Sequence, residues 1–490
     1  MRLHLLAAAV GLSLALAGCA SSGGLHPDGT PIDPSSLNAA HSLANVPANA
    51  AWPSADWWTG LGDPQLDALI SEALADNPTL AIADARTRQA QAMAGVADAA
   101  RQPSLNVGGS LAEARIPATV PGLGKGHVAP AKYAYGSFKW DIDLWGGKRA
   151  AWEAAVGQVR AAEVDARAAR IELSANVARA YVQLGYAYTQ QDLAKAELER
   201  AGTARQLTAQ RVAAGIDNRM QLRQGDAEVA SAQEQLAVAS RAIDAAQSAL
   251  SVLLGKGPDR GRDIGRPHLM TPAQLAVPGD LSVDLVGHRA DLIAARWHVE
   301  AAGRDIKAAK TEFLPNLSLG VMAGLIAVGG ENLFQLPARF YSVAPSVSLP
   351  IFDGGRLRAN LSGKDAQYDL AVAQYNQTLV RAINEVADDV DALQSLQQQA
   401  DAQQHALAAA QDAWKLSEQR YRAGVGSYLE ALSVRQQLLV AEQRMAALQA
   451  QQSDQSVQLI QALGGGYRPA AGQQPPAPTA SVSPASEHHS

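Results

Sequence analysis

The chain has 490 residues, a formal net charge of −6, 18% charged residues and 5% aromatics. That length exceeds one ordinary core, and the mild negative balance excludes the basic footprint of a nucleic-acid-binding protein. A single cysteine, Cys19, excludes any intrachain disulfide.

The chain opens with a basic Arg2, an apolar run from Leu5 to Ala17, and small residues before Cys19. Residues 1–18 therefore read as an export signal and not as a structural helix. "LAGC" at 16–19 resembles the bacterial lipobox. That likeness implies cleavage before Cys19, with lipid on its thiol and new amino group. Several acyl chains would anchor firmly where one would not. Ala20, where an Asp often means inner-membrane retention, favours the outer membrane. Residues 19–55 are rich in Ser, Gly, Pro and Asn and read as a tether. No later run of about 18 apolar residues occurs, so any membrane span must use strands.

Residues 56–257 and 286–466 read as two copies of one plan, with a connector at 258–285. Residues 77–108 align with 289–320, "LWGGKR" at 144–149 with "FDGGRLR" at 352–358, and "LLG" at 253–255 with "ALG" at 462–464. Each copy starts with a helix of about 30 residues, with Ala, Leu and Arg spaced three and four apart. After a proline come two segments of alternating polarity.

Those segments lie near 104–115, 133–144, 316–327 and 340–351. In the first, Leu105, Val107 and Leu111 oppose Asn106, Gly108 and Ser110; in the second, Phe138, Trp140, Ile142 and Leu144 oppose Ser137, Lys139, Asp141 and Asp143. Leu317, Leu319, Val321, Ala323 and Leu325 form one side of the third, and Val343, Val347, Leu349 and Ile351 one side of the fourth. A period of two means strands with one apolar face, long enough for a tilted span. A soluble hairpin would alternate in the same way; the lipobox favours a barrel. Four strands cannot close one, and an open edge in lipid is forbidden. Two chains would give eight strands and a filled interior. A conduit favours three chains and twelve strands.

Next come long helical stretches. No proline lies between Pro130 and Pro258, or between Pro350 and Pro469. At 1.5 Å per residue, each stretch from Gly147 to Gly215 and from Gly355 to Gly424 reaches roughly 100 Å. Val177, Tyr181, Leu184 and Tyr188 mark an apolar stripe on the first. Both stretches break with related punctuation, "QRVAAGIDNRMQL" at 210–222 and "QRYRAGVGSYLEA" at 419–431. Gly215 and Gly424 suit turns that need positive φ. The tail from 467 is Pro/Ser-rich and reads as disordered.

The lipobox, the duplicated plan, "FLPNLSLG" at 313–320, "DLWGGKR" at 143–149 and "RYRAGVGSYLEAL" at 420–432 together resemble the outer-membrane efflux family. That family includes TolC, and the lipobox resembles its lipoprotein branch, the OprM/NodT type. The resemblance covers roughly residues 55–465. It implies a mainly α protein with a β-barrel part: a homotrimer with a 12-stranded outer-membrane barrel and a hollow periplasmic α-barrel tunnel. Segments near 203–210, 256–285 and the C-terminal region would supply a mixed belt. The tunnel would join a periplasmic adaptor (membrane fusion protein) and, through it, an inner-membrane pump that supplies the energy. Ala214, Gly215 and Ile216, with Ala423, Gly424 and Val425, match the tip motif that adaptor hairpins engage. Family members often carry Val-Gly-Leu there. Glu430 matches a carboxylate position that constricts the tunnel. Gln221 is its first-copy counterpart, and Ser433 stands where a second acid is common. One acid per chain makes a weaker charged ring than two.

Other motifs carry little. "PGLGKGH" at 121–127 has no following helix and is a loop. "DIDLWGG" at 141–147 lacks the later ligands of a calcium loop. The acids of "VADDVDAL" at 386–393 spread around a helix and read as a solvated face. The histidines lack metal-site spacing, and no nucleophile–base–acid set appears, so no cofactor, metal or enzyme activity is expected. Three readings follow: a passive exit duct for small molecules, an exit duct for a secreted polypeptide, or a lipid-anchored coiled coil without a pore. The last has no use for the paired strands.

Overall fold

The computed structural model describes residues 24–37, 39, 47, 51–115, 128–268 and 281–469. Cys19, the loop at 121–127 and the tail beyond 469 lie outside them. Helices α1 (Pro64–Asp76) and α2 (Pro78–Ala99) precede strands β1 (Ser104–Arg115) and β2 (Val128–Ile142). Then come α3 (Gly147–Ala213), α4 (Arg219–Leu253), α5 (Pro258–Arg262) and α6 (Leu281–His288). The series continues with α7 (Ala290–Thr311), β3 (Asn316–Val328), β4 (Arg339–Ser348), α8 (Arg356–Arg422) and α9 (Tyr428–Ala462). Lengths repeat between the halves: 22 residues in α2 and α7, 67 in α3 and α8, 35 in α4 and α9. Good helix formers and the lack of interior proline let the long helices run uninterrupted.

The chain divides into two compact units. One holds Arg86–Ala162, Ala294–Asn376 and the chain before Ile32; the other holds Ile32–Ala85, Glu163–Ile293 and the chain from Gln377.

In the first unit the strands form one antiparallel sheet in the order β1-β2-β3-β4. Its register gathers the four apolar sides onto one face: Leu105 pairs with Phe138, Phe138 with Val321, and Val321 with Val343. The polar sides share the other face, where Ser318 and Ser346 hydroxyls lie 2.7 Å apart. Leu105, Val107, Val343 and Val347 are all exposed. β1 and β4 leave their outer edges unpaired. β2 stops at Ile142 and β4 at Ser348, so Leu144, Leu349 and Ile351 fall beyond the strands.

The tether reading fails for residues 25–30. One Asp369 oxygen accepts from the amides of Asp28 (2.9 Å) and Gly29 (2.6 Å), and Asn376 donates to the Thr30 carbonyl at 3.0 Å. Leu25 packs beside Ile306, Phe313, Leu357 and Leu361. A composition that looks like linker is held here by its own backbone amides.

In the second unit α1 buries Leu66, Leu69 and Ile70 against Val177, Tyr181 and Leu184 of α3 and Leu250 of α4. The apolar stripe read from the sequence is therefore core, with Tyr188 packed at its margin. Asp63 caps α1 through the Gln65 amide (2.9 Å) and accepts from the Tyr181 hydroxyl (2.7 Å). Burial and the Asp63 bond push the Tyr181 pKa up. The return helices end alike. Asn77 Nδ2 donates to the Leu253 carbonyl at 2.6 Å, and Arg289 Nη1 to the Ala462 carbonyl at 3.1 Å. Tyr467 is buried, so the tail begins later than composition implied. Residues 203–210 belong to α3, within a few residues of its end, and not to a mixed belt. Nothing in their Ala/Gln/Arg/Thr composition forces a break. Among the described residues no helix is long and apolar enough to cross a membrane.

Candidate docking and gating tips

Both tips are built the same way. Past α3, Gly215 takes φ 75°, and the amides of Gly215 and Ile216 bond back to Val212 (3.1 Å) and Arg211 (2.9 Å). Past α8, Gly424 takes φ 78°, and the amides of Gly424 and Val425 bond back to Tyr421 (3.0 Å) and Arg420 (3.1 Å). These bonds satisfy the last helical carbonyls, as a left-handed cap does. Asn218 and Ser427 then cap α4 and α9 by accepting from the amides of Gln221 and Glu430, each at 3.1 Å.

All six tip residues named from the sequence, Ala214, Gly215, Ile216, Ala423, Gly424 and Val425, are exposed. Two further apolar groups share the surface. Met220 and Leu429 occupy the second helical position after each turn and are 62% and 58% exposed; Ile216 and Val425 are 64% and 71% exposed. The same punctuation could have revealed that pair, since Met220 and Leu429 are 209 residues apart like the glycines.

Glu430 and Gln221 both occupy the third helical position but act differently. Gln221 returns an oxygen to the Asn218 amide at 2.8 Å and completes a capping box. The Glu430 carboxylate instead lies 3.8 Å from Arg420 Nε, with both side chains about half exposed.

The structure also ties the two hairpins together through residues the sequence did not flag. At the tips Arg211 holds Asp217 with two bonds of 2.8 and 3.2 Å, and this bond raises the Arg211 pKa. The Arg211 guanidinium lies 5.0 Å from the Tyr421 ring centre. Higher up, the Tyr428 hydroxyl donates to Glu228 at 3.0 Å; burial and then that charge push its pKa up. Higher again, buried Glu197 accepts from Arg200 (2.6 Å) and from buried Arg435 (2.9 Å), and Arg435 also meets Glu442 at 3.4 Å. Burial disfavours the charge on Arg200, but the bonds and charges of Glu197 and Glu228 together outweigh that and raise its pKa. Beside these ties lies a cavity of about 340 Å³ lined by Leu207, Glu228, Trp414, Tyr421, Tyr428 and Leu432, among others.

An antiparallel sheet with one apolar face and two open edges, joined to paired helices of 67 and 35 residues, defines a subunit of a barrel-and-tunnel membrane channel. The family described as outer membrane efflux protein matches residues 69–256 and 281–465. The chain is 35% identical to the outer membrane protein VceC of Vibrio cholerae, whose solved structure superposes with a TM-score of 0.79, over 85% of this chain and 100% of that one. It is 31% identical to the multidrug resistance outer membrane protein MdtP of Escherichia coli, over 86% of this chain and 88% of the relative. It is 37% identical to the fusaric acid resistance protein FusA of Burkholderia cepacia, over 73% and 69%.

The chain belongs to the outer membrane efflux protein family. It is an outer-membrane channel subunit of an efflux system, with the TolC-like fold that the resemblance implied. The coiled-coil reading without a pore is set aside.

Proposed function

We propose that three copies of this subunit close a twelve-stranded barrel and a helical tunnel, and that the trimer is a passive exit duct without catalytic chemistry. The observation that carries this is the sheet itself. One face is apolar across all four strands, and the edges of β1 and β4 stay unpaired. Such edges are untenable in lipid unless another copy pairs with them. The two halves, residues 56–257 and 286–466, act as duplicated units, and Cys19 carries the lipid anchor. Purified protein in planar bilayers tests the duct. A folded trimer that carries no current removes it, and a folded monomer removes the closure. Replacing Cys19 with Ser removes the acyl mass if the anchor is correct.

The cargo is small organic molecules, in keeping with relatives named for multidrug and fusaric acid resistance. Expression in a strain lacking its efflux channels should restore resistance to such compounds. Export of a polypeptide without that resistance would favour the secretion reading. The partners are a periplasmic adaptor and, through it, an inner-membrane pump. Ala214, Gly215, Ile216, Ala423, Gly424 and Val425 dock the adaptor, with Met220 and Leu429 widening the apolar surface. Glu430 serves as the periplasmic gate candidate.

A further inference from the structure

Away from the tips, the two passages from strand to long helix share a second design. Each begins with an acid that closes the coming helix. Asp143 accepts from the amides of Lys148 (3.0 Å) and Arg149 (2.8 Å), and Asp353 from those of Gly355 (3.0 Å) and Leu357 (2.9 Å). Each turns through glycine at positive φ, 73° at Gly146 and 67° at Gly354. Each turns large apolar groups outward: Trp145 is 46% exposed, Ile351 76% and Phe352 92%. Each then sets arginine on the first helical turns. Arg149 pairs with Glu153 yet is 70% exposed, and Arg356 is 67% exposed and 4.0 Å from Glu312. Arg358 is exposed and makes no ion pair among the described residues.

Both passages flank one connector, residues 311–315. Trp145 Nε1 donates to the Pro315 carbonyl at 2.8 Å. A Cβ on Gly147 would strike the Thr311 side chain. Arg356 lies 4.0 Å from Glu312 of the same connector. The apolar groups and the cations therefore form one band at the helix end of the sheet. The two capping acids are engaged by backbone amides, which leaves the arginines dominant outward.

We propose that this band binds the headgroups of an anionic phospholipid leaflet. Trp145, Ile351 and Phe352 sit at the acyl boundary, and Arg149, Arg356 and Arg358 meet the phosphates. The proposal rests on the sheet lying in a bilayer. An acidic soluble partner would account for the cations but not for bulky apolar groups four to seven residues away. Where acyl chains end and phosphates begin, both belong together.

The test is native mass spectrometry of the full-length protein in detergent, with added phosphatidylglycerol or phosphatidylcholine. The wild type should retain the anionic lipid roughly tenfold more strongly. Arg356→Gln with Arg358→Gln should bring that preference close to parity without changing the circular dichroism spectrum. Arg356→Lys with Arg358→Lys should restore most of it, and Phe352→Ser should weaken both lipids alike. Equal retention by the wild type, or an undiminished preference in the glutamine double variant, overturns the proposal. Failure to insert into vesicles of either lipid would overturn the bilayer placement, and the proposal with it.

Discussion

The two helical hairpins are equal in length and turn, and unequal in what they hold. At matching positions 209 residues apart, the first hairpin sets Arg205 against Asp226 at 2.7 Å, and the second sets Trp414 against Arg435 at 5.9 Å. The first contact stays within its own hairpin, at a largely exposed face. The second frees Arg435 to reach across to Glu197, whose own counterpart is Ala406. Tyr421 replaces Val212, and Glu228 replaces Gln437, with the same result. The glycines that keep the repeat serve the backbone turn, while the buried charge tie between the hairpins rests on positions that break it.

Breaking the tie should have the largest effect. Arg435→Met leaves Glu197 buried with only Arg200, and removing one partner of a buried pair costs about 3 kcal/mol. Thermal unfolding should show a lowered midpoint, and proteolysis should reach the tips sooner. Asp226→Asn, at the equivalent place in the first hairpin, should hardly move either readout, because its pair is solvated. Equal losses in the two variants would dissolve the distinction between the hairpins.

Much of this molecule was legible from local pattern. Alternation located all four strands and their apolar faces, because a period of two survives without tertiary context. Glycine located both tips, because positive φ is a local demand. The Glu197–Arg435 tie was not legible, since it joins residues 238 apart on helices whose exposed faces also carry Glu and Arg. A comparison of the two copies for mismatched charges would have pointed to it. The strap at residues 25–30 was hidden for another reason. Its grip uses backbone amides, and composition does not report those.

The shared features should respond equally. Nothing lies within 4 Å of a Cβ built on Gly215 or on Gly424, so alanine there meets only backbone strain. Each Gly→Ala variant should cost about 1 kcal/mol, measured by denaturant unfolding. A clearly larger cost at one tip would mean that its turn is constrained from outside.

A smaller difference lies in the middle of the second hairpin. Asp389 is half-buried, accepts from Gln455 at 2.6 Å, and has its pKa pushed up to about 6, first by burial. The first-hairpin counterparts of this pair are Ala180 and Ala246. The fold binds the Asp389 proton more tightly than the unfolded chain does. The stability this contributes is full below pH 3.8 and is lost as the pH rises through about 6. Asp389→Asn should therefore flatten the stability profile over that window and gain at most ~1 kcal/mol at neutral pH. An unchanged profile would mean that solvent reaches the carboxylate more freely than its burial implies.

The subtlest contrast is at the third helical position after each turn. Gln221 is consumed by its capping box, so its oxygen faces its own backbone. Glu430 returns no such bond to its cap: its amide donates to the Ser427 hydroxyl, and its carboxylate stays in solvent, held loosely by Arg420. A ring of three such charges near a threefold axis would attract cations and narrow the path. Glu430→Ala should then raise single-channel conductance in planar bilayers, by roughly twofold or less, and relieve block by divalent cations. Gln221→Ala should leave both unchanged. Arg420→Ala should deepen the block, because it removes a cation that competes for Glu430 within the chain. If Glu430→Ala matches the wild type in conductance and block, the carboxylate belongs to the turn alone.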